Sequence, residues 1–183
     1  MSAARPLIVL DAAMTLDGFW ADGDDRSVYP IAEMHAEGLV EPLAKRTGAV
    51  VMSGRSFEMA EDPDWYADHY ELQRPIFVFT DKSSARHPKE NAELKFVFVP
   101  DFATAIQQAI TAAGKRDVMV IGEASAAQSA LDSGLVDEFY LRIEPRLIGD
   151  GALLLRAGLA AQKFSIRVAK KTAHTVYLHL VRA

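Results

Sequence analysis

The chain has 183 residues, half of them hydrophobic and a quarter charged, the composition of one globular domain (residues 1–183) with room for a sizeable core. Its formal net charge of −5, with no lysine or arginine run, argues against a polyanion-binding surface, so nucleic acid is not an expected partner. Cysteine is absent, which excludes disulfides, cysteine-ligated metals and thiol nucleophiles, and the five histidines show no metal-ligand spacing.

In chain order, Met1 to Pro6 lacks the charged-then-apolar layout of a signal peptide, and Leu7 to Leu10 is too short to span a membrane. A cytoplasmic protein without a membrane partner is therefore expected. Leu7–Ala13, Ala49–Met52, Ile76–Phe79, Lys95–Val99, Val118–Ile121 and Glu138–Ile143 are short, rich in β-formers and mostly near-continuously apolar, as strands buried on both faces would be. Between them, helices are predicted at Ile31–Arg46, Ser56–Glu61, Phe102–Ala113 and Ala124–Ser133. Asp101 is the predicted N-cap of the third, and Gly114 its stop. Strand alternating with helix implies parallel strands joined by right-handed crossovers. Phe164–Ala169 and Thr175–Arg182, separated by Lys170–His174, read instead as a closing antiparallel hairpin. The predicted fold is an α/β, three-layer arrangement: a mixed, mostly parallel sheet with helices on both faces.

Ligands of such sheets bind at the carboxyl ends of the strands, where loops enter helix N-termini. Three junctions stand out. After Ala49–Met52 comes Ser53-Gly54-Arg55-Ser56-Phe57-Glu58. Gly54 permits close approach of a ligand and Arg55 offers a fork to a phosphate; the alternative is a capped helix with a solvated arginine. After Val118–Ile121 comes Gly122-Glu123-Ala124-Ser125, a small-residue turn that either cradles a pyrophosphate or simply turns the chain. A carboxylate there repels a pyrophosphate unless it is turned away. After Ile76–Phe79, Thr80-Asp81-Lys82-Ser83 places Thr80 and Lys82 where a ribose phosphate would lie, although Asp81 and Ser83 equally suit a plain turn. Near the start, Asp17-Gly18-Phe19-Trp20 sets a carboxylate beside two large rings. It reads either as a lid on a heterocycle with Asp17 as anchor, or as a turn whose rings plug the core. No Gly-x-Ser-x-Gly elbow or Walker-type loop occurs, which removes support for hydrolase and kinase readings.

Taken in order, Thr15-Leu16-Asp17-Gly18, Gly54-Arg55, Gly122-Glu123-Ala124-Ser125, Gly134-Leu135-Val136-Asp137-Glu138 and Pro145-Arg146-Leu147-Ile148-Gly149-Asp150-Gly151 resemble the reductase domain of riboflavin-biosynthesis deaminase–reductases. Those domains share the dihydrofolate reductase fold; the zinc-binding deaminase half has no counterpart here. The resemblance implies NADPH as cofactor, held by Gly54, Arg55, Ser56, Glu61, Thr80, Asp81, Lys82 and the stretch Gly122, Glu123, Ala124, Ser125, Ala126 and Gln128. It also implies a small-molecule substrate under the Asp17, Phe19 and Trp20 loop and near Phe57, and a homodimer. Asp17 is the one side chain put forward as proton donor, with an ordered water as the alternative. Relatives with a Gly-Gly turn hold that peptide in cis, which implies a cis or strained bond at Gly122–Glu123.

The chain departs from the family where the phosphorylated ribosyl pyrimidine is held. Phe19 stands where the family has arginine after Asp-Gly, a second arginine position falls near Asp68, and an acid position is Ile121. Each missing charge-assisted bond is worth roughly 1.5–3 kcal/mol. The expectation is therefore an NADPH-dependent reductase of an uncharged or aromatic heterocycle. The alternatives are the family's own riboflavin-pathway reduction, with Arg26 or Arg74 holding the phosphate, and a non-catalytic ligand-binding dimer.

Overall fold

Strand periodicity decides how the core is divided. The computed structural model describes residues 5–24, 26–60, 62–82 and 87–183. The first strand, β1 (Ile8–Thr15), sends Ile8, Leu10 and Ala12 to one face of the sheet and Val9 to the other. Next come the short β2 (Phe19–Ala21), the helices α1 (Ile31–Ala36) and α2 (Val40–Arg46), and then β3 (Thr47–Ser53), α3 (Gly54–Glu58) and α4 (Trp65–His69). Two strands, β4 (Ile76–Phe79) and β5 (Phe96–Val99), precede α5 (Phe102–Ala113), β6 (Asp117–Ile121) and α6 (Ala124–Asp132). The chain closes with β7 (Glu138–Glu144), β8 (Ala152–Leu153), β9 (Phe164–Lys171) and β10 (Val176–Arg182).

The eight-stranded sheet runs β5-β4-β3-β6-β1-β7-β10-β9, and a separate pair joins β2 to β8. Pairing is parallel from β5 through β7, while β10 runs antiparallel to β7 and β9 antiparallel to β10. The predicted mixed sheet and closing hairpin are both present. One face is packed by α5 and α6, whose alanines Ala105, Ala109, Ala126 and Ala130 are fully buried. The other face is covered by Met34 of α1, Leu43 of α2, Phe57 of α3 and Tyr66 of α4.

Most predicted elements agree with the structure to within one or two residues, and the cap on α5 is as expected: Asp101 accepts a hydrogen bond from the Thr104 N–H at 2.7 Å. The predicted helix Ile31–Arg46 is instead two helices. Gly38 takes φ +65 after α1, and the Leu39 N–H returns to the Met34 carbonyl at 2.9 Å, a helix-ending turn. Pro42, which has no N–H, then fits only the first turn of a new helix. Nothing in the apolar pattern announced α4, β2 or β8. Among the described residues, no helix is long and apolar enough to cross a membrane.

Candidate functional site

Three strand ends, those of β3, β4 and β6, converge at the expected edge. Their approach is close enough that two glycines are obligatory. A Cβ on Gly54 would lie 2.6 Å from Thr80 Oγ1, and one on Gly122 would lie 2.0 Å from Ser56 Oγ. Gly122 also holds φ +123, a conformation that strains other residues. The implied cis bond is not there: the described residues contain no cis peptide, and the unusual backbone of the turn resides in Gly122 alone.

Beside this turn Glu123 points inward, 2 % exposed. Its carboxylate accepts hydrogen bonds from Ser53 Oγ at 2.7 Å, from the Ser125 N–H at 2.7 Å and from Ser125 Oγ, while its own N–H donates to Ser56 Oγ at 2.9 Å. This knot separates two cavities.

The first is a groove of about 430 Å³ lined by Ser53, Gly54, Arg55, Thr80, Asp81, Lys82 and Ser125. Its polar rim is ordered by the Lys82 N–H, which donates to Thr80 Oγ1 at 3.1 Å, and Lys82 Nζ stands 3.6 Å from Glu58. Of the residues expected to hold the cofactor, Gly54, Arg55, Thr80, Asp81, Lys82 and Ser125 line this groove, Ser56 and Gly122 line the second cavity instead, and Glu123 lines neither. Ala124 and Ala126 turn their side chains into the core beneath α6, because that is the face the helix buries. Gln128 donates to the Leu153 carbonyl at 2.8 Å and fastens β8 instead of facing the groove. Glu61 lies outside the described residues, as does Ser83.

The second cavity is a chamber of about 680 Å³ on the opposite side of the turn. Met52, Ser56, Met119, Ile121 and Gly122 form the wall next to the strand ends; Trp20, Tyr29, Met34, Trp65, Tyr66 and Tyr70 enclose the rest. Its charged lining residues among those described are Asp11, Asp62 and Glu71, with no lysine or arginine. Burial pushes the Tyr66 phenol up to about 12.

Asp11 is among the chamber residues that the sequence reading missed. It is 2 % exposed and accepts hydrogen bonds from Tyr29 Oη and Arg142 Nη1. Arg142, 1 % exposed on the neighbouring β7, is sandwiched between the rings of Tyr29 and Tyr177, 5.5 and 5.6 Å from their centroids. Burial opposes its charge, yet Asp11 and the Tyr29 and Tyr177 phenols together more than offset this and leave the guanidinium above its ordinary pKa. Burial and the adjacent Asp11 together raise the Tyr29 phenol well above its usual value. Three buried donors nearby, Arg142 Nε, Arg142 Nη2 and Trp20 Nε1, have no hydrogen-bond partner. The available signal was an acid in the middle of an otherwise apolar strand.

The expected lid requires correction. Asp17 lies outside the chamber lining and clamps a loop: its carboxylate accepts hydrogen bonds from Thr15 Oγ1 at 2.5 Å, the Ile148 N–H at 3.0 Å and the Gly149 N–H at 2.8 Å. The Thr15 hydroxyl, followed by those backbone donors, holds its pKa below the ordinary aspartate value. Phe19 pairs with Leu153 in the small sheet, and Trp20 is 3 % exposed in the core, contributing to the chamber as fixed wall. Phe57, given as a substrate contact, is buried beneath the chamber, stacked on Tyr66 at 5.6 Å and edge-on to Phe96 and Phe98. The two arginines named as phosphate holders are engaged elsewhere. Arg26 pairs with Asp22 and Asp24, while Arg74 binds the Thr47 carbonyl at the amino end of β3 and Glu93.

Residues 6–178 match the family model of the RibD C-terminal domain. The riboflavin biosynthesis protein RibD of Corynebacterium ammoniagenes is 28% identical over 159 residues, covering 82% of this chain and 46% of that protein. The chain thus spans about half the length of that relative. The crystal structure of a diaminohydroxyphosphoribosylaminopyrimidine deaminase/5-amino-6-(5-phosphoribosylamino)uracil reductase from Thermotoga maritima superimposes with TM-score 0.74 at 15% identity, over 98% of this chain and 57% of that one. Acinetobacter baumannii RibD gives TM-score 0.70 at 18% identity, over 100% and 59%. At such identities the structural likeness speaks for the fold.

Proposed function

The chain belongs to the RibD C-terminal domain family, and from that premise we propose that it is an NADPH-dependent reductase of a small, flat, uncharged ring bound in the chamber. The observation that carries the substrate class is the chamber lining: aromatic rings and thioethers, three acids, and no lysine or arginine among the described residues. A phosphorylated substrate there would lose its hydration without gaining a cationic partner.

The residues present fit the cofactor at both ends of the site. Arg55, Thr80 and Lys82 would hold a 2′-phosphate in the groove, and Met52, Ser56, Ile121 and Gly122 would flank a nicotinamide at the mouth of the chamber. NADPH, when bound, supplies a hydride. The chain's own contribution is to stack the acceptor ring among Trp20, Tyr66 and Trp65, to exclude bulk water, and to fix the ring against the strand ends. With Asp17 committed to its loop, the proton is assigned to a water admitted with the substrate. The proposed assembly is a homodimer, a reading supported by the apolar residues Ile166, Val168 and Val176 exposed on the β9–β10 hairpin.

The second reading is the riboflavin-pathway reduction, favoured by the activity named for the Thermotoga maritima relative. The test is a titration with NADPH and NADH followed by a screen of ring substrates for nicotinamide oxidation, with 5-amino-6-(5-phosphoribosylamino)uracil included. Turnover of an uncharged heterocycle is the expected result. Efficient turnover of the phosphorylated pyrimidine, with kcat/KM of roughly 10⁴ M⁻¹s⁻¹ or above, would replace the first reading with the second. Binding of a ring ligand without NADPH binding would leave only the non-catalytic ligand-binding dimer.

A further inference from the structure

The knot around Glu123 has the composition of an anion-binding seat that is already filled. Two serine hydroxyls, from Ser53 and Ser125, and one helix-terminal amide, that of Ser125, converge on the Glu123 carboxylate. Among the described residues no lysine or arginine forms an ion pair with this carboxylate, although it is 2 % exposed. It is held by hydroxyls, by an amide and by the positive end of the α6 dipole, the same elements that hold phosphate groups at helix N-termini.

Its position gives this arrangement a consequence. Ser53 and Ser125 line the groove, while Ser56, which accepts the Glu123 N–H, lines the chamber together with Gly122. A ligand with one end among Arg55, Thr80 and Lys82 and the other at the chamber mouth must cross this knot. In a dinucleotide, the part that crosses is the pyrophosphate.

We infer that Glu123 is a tethered competitor for the pyrophosphate of the cofactor, a specificity-determining residue that sets how tightly the chain holds any dinucleotide. This inference rests on the NADPH reading above. The carboxylate must swing out of its seat before Ser53, Ser125 and the Ser125 amide can bond a phosphate oxygen. Cofactor binding therefore gains those bonds only by breaking equivalent ones, and is weak. A ligand confined to the groove is indifferent to Glu123. The knot also explains how a glutamate can replace a small residue here: Gly122 supplies the tight turn, and the side chain is accommodated by occupying the place of an anion.

The experiment compares the unmutated chain with Glu123→Ser and Glu123→Gln. Serine is a good N-cap, so Glu123→Ser empties the seat while keeping the start of α6; Glu123→Gln keeps the shape and removes the charge. NADPH is titrated by its nicotinamide fluorescence, and adenosine 2′-monophosphate, which lacks the pyrophosphate, is titrated by calorimetry. Glu123→Ser is expected to bind NADPH about tenfold more tightly than the unmutated chain, with a smaller gain for Glu123→Gln and no change for adenosine 2′-monophosphate. Unchanged or weaker NADPH binding by a folded Glu123→Ser, with adenosine 2′-monophosphate still binding, overturns the inference and spares the cofactor reading. If Glu123→Ser does not fold, the same judgement falls on Glu123→Gln. If neither ligand binds any of the three proteins, the cofactor reading fails and the inference fails with it.

Discussion

On one side of the Gly122 turn lies a chamber walled by Trp20, Tyr29, Trp65, Tyr66 and Tyr70, and on the other a groove whose rim carries Arg55 and Lys82. The two share strand ends and are separated by a single hydrogen-bonded carboxylate, yet they are built from opposite materials. Arg142 lies buried behind Tyr29 and Asp11 and does not line the chamber, so a ligand there meets aromatic rings and three acids but, among the described residues, no lysine or arginine. The groove leaves Lys82 exposed beside Glu58. The contrast teaches that one fold can recognise charge and shape within a few residues of each other, provided that the cation beside the apolar half is paired and buried.

The strongest way to break the contrast is to unpair that buried cation. Asp11→Ala leaves Arg142, which already has two unpartnered nitrogens, as an uncompensated buried charge behind the chamber wall. A stability loss of about 3–5 kcal/mol is expected by urea unfolding. The double variant Asp11→Ala/Arg142→Met should recover most of it, because burial of an unpaired charge is then removed. A single-variant loss below about 1 kcal/mol, the range of exposed pairs, would mean that water already reaches the pair. Next in size is the shared turn. Gly122→Ala meets both the Ser56 hydroxyl and a positive φ, and should cost about 1–3 kcal/mol while loosening ligands of both cavities. A change within about 0.5 kcal/mol would show that the turn relaxes freely.

On the groove side the expected effect is smaller and chemical. If Arg55 meets the 2′-phosphate, NADPH should bind about tenfold more tightly than NADH, about 1.4 kcal/mol, and Arg55→Ala should remove most of that preference without loss of stability. Equal affinities in the unmutated chain would release Arg55 from this role.

The two halves also differ in how well the sequence announces them. The groove was legible because its residues follow strands directly, and a strand-to-helix junction with glycine, serine and a cation is a local signal: Gly54, Arg55, Thr80 and Lys82 lie together as expected. The chamber was not, because its walls are tertiary. Tyr29, Tyr66 and Tyr70 are far from β1 in sequence, and α4, which supplies Trp65 and Tyr66, is too short to show a helical period. The sheet itself was readable from apolar runs, while the break at Gly38 and Pro42 was overlooked within a longer apolar period. Some of the motifs that carry the family resemblance fasten the scaffold. Asp17 ties the first turn to Ile148 and Gly149, and Asp137 accepts from the Ile8 N–H at 2.8 Å. Those residues identify the family without naming the substrate, since binding is determined by different side chains.

The smallest effect probes how dry the chamber wall is. Tyr66 is 6 % exposed, its ring stacked on Phe57 and its hydroxyl 3.4 Å from the Ser56 carbonyl. Burial raises its pKa to about 12, against about 10 for a solvated phenol. Because the folded value lies above the unfolded one, the stability contributed by the neutral phenol is fully present below about pH 10 and is lost as pH rises through about 12. An ultraviolet difference titration between the unmutated chain and Tyr66→Phe isolates this group from the other buried tyrosines. It should show one phenol ionising with a midpoint of about 12. The variant should also lose less stability than the parent over that alkaline interval. A midpoint near about 10 would mean that water wets the wall as it does the groove, and the division between a dry half and a wet half would not hold.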